Sequence, residues 1–110
     1  MRFGVIPDNA DARMTAARPV LLEFSTGWCG SCQTVDAVIR AWAEQEGRYF
    51  DVVRIDAEAY PAVTKIHHVY SVPTLILFQS GVECWRHSGV LTVRELREAL
   101  RPYSTGKQKS

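Results

Sequence analysis

No run of apolar residues in this chain approaches the roughly 18–20 that a helix needs to span a bilayer, so no membrane role is expected. Neither sign of charge dominates. Thirteen Lys and Arg stand against twelve Asp and Glu, for a formal net charge of +1. Such a balance gives no electrostatic footprint for nucleic acid or an anionic surface. Internal repeats and low-complexity blocks are absent, which excludes solenoids and biased linkers. Cysteine is scarce and odd in number, with only Cys29, Cys32 and Cys84. Three thiols are a poor basis for a structural disulfide framework. In a reducing compartment, thiols are more often kept for chemistry or for metal. The first residues, Met1 to Asp8, lack the apolar stretch of a signal peptide because Pro7 and Asp8 interrupt it. A cytoplasmic location is the default expectation. A chain whose leader had been removed would read the same.

What is present is an ordinary globular composition. Of 110 residues, 46% are hydrophobic and 23% charged, enough for one domain with its own core. We expect a single domain over residues 1–103, a polar tail over 104–110, and a monomer. A short strand at Arg2 to Ile6 and a short helix from Asp8 to Ala17 fit the start of the chain, with Pro19 ending the helix. Val20 to Phe24 is an apolar run with one carboxylate, Glu23, inside it, and its length suits a buried strand. A helix follows from about Cys29 to Glu46, with Val35, Val38, Ile39 and Trp42 on one face and Gly47 at its cap. Phe50 to Ile55 reads as a second buried strand. Pro61 opens a helix running to His68. Thr74 to Phe78 and Val82 to His87 form a hairpin across Gln79-Ser80-Gly81, with Gly81 at positive φ. A last helix starts at Thr92, where Glu95 completes a capping box, and Pro102 ends it. Strands alternate with helices and a hairpin comes last. That order predicts an α/β fold, a central mixed sheet with helices on both faces and right-handed crossovers.

The informative segment is Trp28-Cys29-Gly30-Ser31-Cys32, between a buried strand and a helix. Two cysteines three apart share one side of a helical turn. Cys29 sits where free backbone N–H groups and the helix dipole favour an anion. Its thiol pKa is therefore expected to fall from about 8.5 toward ~7 or lower. The thiolate attacks disulfides, so Cys29 is the expected nucleophile and Cys32 the resolving thiol. Gly30 and Ser31 are small and leave the Cys29 sulfur reachable.

The segment Phe24 to Cys32 resembles the active-site segment of thioredoxins. Val72-Pro73-Thr74, about forty residues further on and followed by Leu75 to Phe78, resembles their second motif. The likeness runs from about Val20 to Leu100. It implies a thioredoxin-like fold and a protein-disulfide reductase taking part in electron transport and cell redox homeostasis. It also implies a cis Val72–Pro73 bond beside the cysteines, disulfide-containing protein substrates, and a thioredoxin-reductase-like electron donor. Glu23, six residues before Cys29, falls where the family keeps a buried aspartate. Burial should raise its pKa, and we expect it to shuttle a proton for Cys32. Trp28, Gly30, Ser31, Val72, Pro73 and Gly89 are carried over as substrate-binding, with the Val72 backbone pairing the bound chain like an added strand. Gly81 and Gly89 match the family's two later glycines. Three positions depart from the pattern. Ser31 stands where proline is commonest, which should make the pair less reducing. Val52 stands where a lysine often neighbours the buried acid, so Glu23 should lack that partner. Ala37 replaces a mid-helix proline.

Other readings stay open on the sequence. Ser31 favours a disulfide isomerase or oxidase, and the fold also serves as a binding module. A Cys₃His zinc site from Cys29, Cys32, Cys84 and His87 has the right ligand types. The expected hairpin carries Cys84 away from the helix start, so no metal and no cofactor is expected. Cys84 itself reads as a small hydrophobe on a strand, Trp42 as core, and His67 and His68 as cap or surface residues.

Overall fold

A computed structural model describes residues 18–104. The expected Arg2–Ile6 strand, the Asp8–Ala17 helix and all but the first residue of the 104–110 tail lie outside the described residues. Within them the chain runs β1 (Val20–Ser25), α1 (Gly30–Glu46), β2 (Asp51–Asp56), α2 (Pro61–Ile66), β3 (Thr74–Gln79), β4 (Val82–Ser88) and α3 (Val93–Leu100). The sheet order is β2-β1-β3-β4. β1 pairs parallel with β2 and antiparallel with β3, and β3 pairs antiparallel with β4. The mixed sheet predicted from the element order is therefore present.

Strand alternation divides the core into two layers. On one face, Leu21, Val52, Leu75 and Leu77 pack under α1 and α3, against Val35, Ile39, Trp42, Leu96 and Leu100. On the other, Val20, Leu22, Phe24, Val53, Ile55, Ile76 and Phe78 pack with Val63 of α2 and with Val69. Trp42 meets Phe50 edge to face at 4.9 Å. Cys84 is half-buried against the first layer, as a small hydrophobe would be. Helices cover both faces because β1, inside the sheet, carries apolar side chains on both.

Local chemistry sets most boundaries. Thr92 accepts the Glu95 N–H at 3.0 Å while the Glu95 carboxylate accepts the Thr92 N–H at 2.9 Å, the reciprocal cap read from the sequence. Ser80 and Gly81 take φ of 54° and 80°, the paired positive angles of a tight hairpin turn. Two ends differ from expectation. Gly47 keeps a right-handed φ of −60° and leads into a 3-10 turn, so α1 does not end on a left-handed glycine. α2 stops at Ile66, two residues early, because His68 turns to a φ of 57°. His67 caps α2 through its backbone N–H and His68 is exposed, as expected, but the His67 side chain is half-buried. Its ring packs 5.9 Å from Phe24 and 5.5 Å from Phe78. Among the described residues, no helix is long and apolar enough to cross a membrane.

If the α1 layer carries the core, Trp42→Ala should cost about 3–5 kcal/mol in urea unfolding. Thr92→Ala, which loses only a cap, should cost about 1 kcal/mol. A reversal of that order would contradict the assignment of the core.

Candidate active site

The site forms where β1 runs out of the sheet. Gly27 and Trp28 turn the chain, and Cys29 then takes the cap position of α1 with extended backbone angles, φ −92° and ψ 116°. Its sulfur accepts the Cys32 N–H at 3.1 Å. The first turn of α1 contains no acidic side chain, so nothing there opposes a negative sulfur at the positive end of the helix dipole. Cys32 lies one turn in, with Cα atoms 5.2 Å apart and the two sulfurs joined as a disulfide. Ser31 Oγ is 3.4 Å from the Cys29 sulfur.

The two cysteines open on different spaces. Cys29 lines a groove of about 560 Å³ with Trp28, Gly30, Ser31, Tyr70, Ser71 and Val72. Among the described residues, no charged side chain lines it. Its apolar walls and the Val72 backbone suit an extended peptide. The Val72 carbonyl lies 3.9 Å from the Cys29 sulfur, and Val72–Pro73 is cis, as the resemblance implied. Trp28 is 69% exposed at the edge of this groove, and its indole N–H donates to Glu58 at 2.8 Å. Glu58 carried no signal in the sequence. Gly89 does not line the groove. At φ +94° its N–H donates to the Pro73 carbonyl at 2.9 Å, which braces the cis loop from behind.

Cys32 faces a second space, of about 410 Å³, bounded by Ser25, Thr26, Gly27, Asp36, Arg54 and Asp56. Glu23 does not line this space and has no solvent exposure, and neither carboxylate oxygen has a hydrogen-bond partner among the described residues. The parallel register pairs Glu23 with Arg54, and both side chains point to the α1 side. Arg54 Nε stands 3.6 Å from Glu23 Oε1. The sequence reading that Glu23 lacks a cationic neighbour is thus corrected. Val52 is indeed apolar and buried, but Arg54, the next residue on the same strand face, supplies the cation. A charge inside an apolar strand, two residues along from Val52, was the signal for it.

Burial still outweighs that cation. Desolvation pushes the Glu23 carboxyl up from 4.5 to about 7; Arg54 pulls it down and Asp36 adds to the rise. The folded state therefore binds this proton more tightly than the unfolded chain. The stabilisation is fully present below pH about 4.5 and is lost as pH rises through about 7. Between those limits the loss is on the order of 3 kcal/mol. Glu23→Gln should remove that decline, so urea melts of variant and wild type should diverge between pH 5 and pH 8. Parallel curves would show that Glu23 ionises as an ordinary surface acid.

Among the described residues no three His, Cys, Asp or Glu side chains gather as metal ligands. Cys84 and His87 stand on β4, which borders β3 at the sheet edge, two strands away from β1 and the helix start it leads into. The zinc alternative finds no assembled site there.

Comparison with known proteins agrees with this geometry. The thioredoxin family profile matches residues 5–102. Thioredoxin Y1, chloroplastic, of Arabidopsis thaliana is 34% identical over 90 residues, which is 82% of this chain but 52% of that protein. The chain thus spans about half the length of that relative. Thioredoxin of Mycolicibacterium smegmatis is 36% identical over 91 residues, covering 77% of this chain and 81% of the relative. Among solved structures, a mutant thioredoxin from Halobacterium salinarum NRC-1 superposes with a TM-score of 0.82 at 27% identity, covering 93% of this chain and 88% of that one. A C-x-x-C pair capping a helix, a cis proline loop beside it and a matching profile over nearly the whole chain lead to one conclusion: this chain belongs to the thioredoxin family.

Proposed function

We propose that the chain is a thiol–disulfide oxidoreductase that reduces disulfides of protein substrates. One observation carries this reading. The Cys29 sulfur is held at the start of α1 and opens on a peptide-sized groove, while Cys32 faces away from it. The reduced Cys29 thiolate attacks one sulfur of a substrate disulfide and expels the other as a thiolate. The product is a Cys29–substrate mixed disulfide. Cys32 then attacks the Cys29 sulfur, the substrate leaves as its second thiol, and the Cys29–Cys32 disulfide remains. Two electrons pass from the chain to the substrate. A thioredoxin-reductase-like dithiol donor resets the pair.

Trp28, Gly30, Ser31 and Val72 hold the substrate chain in this scheme, with Pro73 and Gly89 shaping the loop that presents Val72. Glu23 takes the Cys32 proton. The working unit is a monomer, one domain over residues 1–103 with a polar tail over 104–110. It acts in a reducing compartment, the cytoplasm by the sequence expectation. The Arabidopsis relative is named as chloroplastic, so that finer address rests on sequence alone.

A second reading has its own support. A serine hydroxyl 3.4 Å from Cys29 favours the thiolate and hence the reduced pair. That shift moves the couple toward isomerase or oxidase duty.

Cys32→Ser should trap substrate proteins as mixed disulfides through Cys29, and Cys29→Ser should not. Equal trapping by both variants would reverse or abolish the assigned roles. A binding module would keep its partner affinity in Cys29→Ser. Equilibration against a dithiol buffer places the couple. A potential near about −270 mV marks a reductant, and one near about −180 mV or above marks the isomerase or oxidase reading. Ser31→Pro should lower the measured potential.

A further inference from the structure

The charge behind Cys32 is shared, and the sharing is particular to this chain. Arg54 reaches from β2 between two carboxylates. Its Nε stands 3.6 Å from Glu23 Oε1, and its Nη2 is paired with Asp36 Oδ1. Asp36 lies four residues along α1 from Cys32, so it projects from the same helix face. Its other oxygen accepts from Arg40 Nε at 3.1 Å. Arg54 and Asp36 both line the space onto which Cys32 opens, with Asp56 beside them, whereas Glu23 lies wholly inside. The Arg54 side chain is 32% exposed against none for Glu23. It spans the distance between the buried acid and water.

The geometry points to Arg54 and Asp36 as a positioning pair for the resolving half-reaction: Asp36 holds the guanidinium partly away from Glu23 and so sets when Glu23 takes the Cys32 proton. This inference rests on the oxidoreductase reading and deepens it. In the mixed disulfide, the Cys32 thiol gives its proton to the Glu23 carboxylate. The Cys32 thiolate attacks the Cys29 sulfur, the bond from Cys29 to the substrate sulfur breaks, and the electron pair leaves on that sulfur, which takes a proton from water. Glu23 returns its proton to water through the space beside Arg54. The step needs Glu23 ionised at its start, so its rate rises with pH.

The two partners act on Glu23 with opposite signs. Arg54 favours the carboxylate. Asp36 opposes it twice, by repulsion and by competing for the guanidinium. Arg40 favours the carboxylate more weakly from α1. Loss of mere structural support would move both variants the same way.

The full chain, reduced with dithiothreitol, is mixed with an aryl disulfide whose thiolate is coloured. The first release reports attack by Cys29 and the second reports resolution by Cys32. Arg54→Met should move the midpoint of the second phase up by about one pH unit or more. Asp36→Asn should move it down, and Arg54→Lys should stay close to wild type. Glu23→Gln should abolish the inflection in every background. Shifts of the same direction, or no shift, would overturn the pairing while leaving the oxidoreductase reading intact. A wild-type chain with no coloured release would remove both. Should Arg54→Met fail to fold, the sign of the Asp36→Asn shift decides, checked by carboxyl carbon NMR titration of Glu23.

Discussion

Everything at the site depends on β1 being buried on both faces. All six of its residues are buried, and its backbone groups are taken up by ladders to β2 and β3. A central strand of this kind cannot shift by one residue without exchanging its two apolar faces. Its register is therefore fixed, and so is the point where the chain leaves the sheet. That point delivers Cys29 to the start of α1, where unpaired N–H groups favour a negative sulfur. The same strand carries Glu23 inward. One constraint thus places both Cys29 at the helix start and Glu23 inside the sheet.

Packing then separates two spaces around one pair of sulfurs. The cis loop, braced by Gly89, brings the Val72 backbone beside Cys29 on one side. On the other, the parallel register sets Arg54 against Glu23, and α1 sets Asp36 against Arg54. In the proposed reaction, substrate and proton would reach the cysteines by different routes. A buried carboxylate costs stability when ionised, and its weakly compensated charge is what allows it to exchange a proton near neutral pH. Another ion pair of the chain, Arg101 with Glu98, stands at the surface, where ionisation carries little desolvation cost.

Much of this was legible before any coordinates. Apolar runs marked the inner strands, a 3.6-residue apolar period marked α1, and turn and cap residues placed β4, α2 and α3, because burial and local chemistry leave a trace in residue type. The capping box at Thr92 and the turn at Ser80-Gly81 were readable because they are local chemistry. Cys29 and Cys32 stood out because their spacing serves a helix start. Boundaries that depend on neighbours did not read as well. α2 ends early where His68 takes a positive φ, and beside that turn the His67 ring packs on Phe24 and Phe78, rings distant in sequence.

Element order, the two-sided core, the cysteine pair and the presence of an acid in the central strand are all written in residue type and spacing along short stretches of chain. The surroundings of that acid are not. Glu23, Asp36 and Arg54 lie on three separate elements, and nothing local in any of them names the other two. Their meeting is a consequence of strand register and helix placement, which bring Glu23 and Arg54, on different strands, to within 3.6 Å. Glu58 under Trp28 and Gly89 behind Pro73 are products of the same cause. Contacts between distant segments are set by packing geometry, and a one-dimensional pattern records that geometry only where it leaves a period.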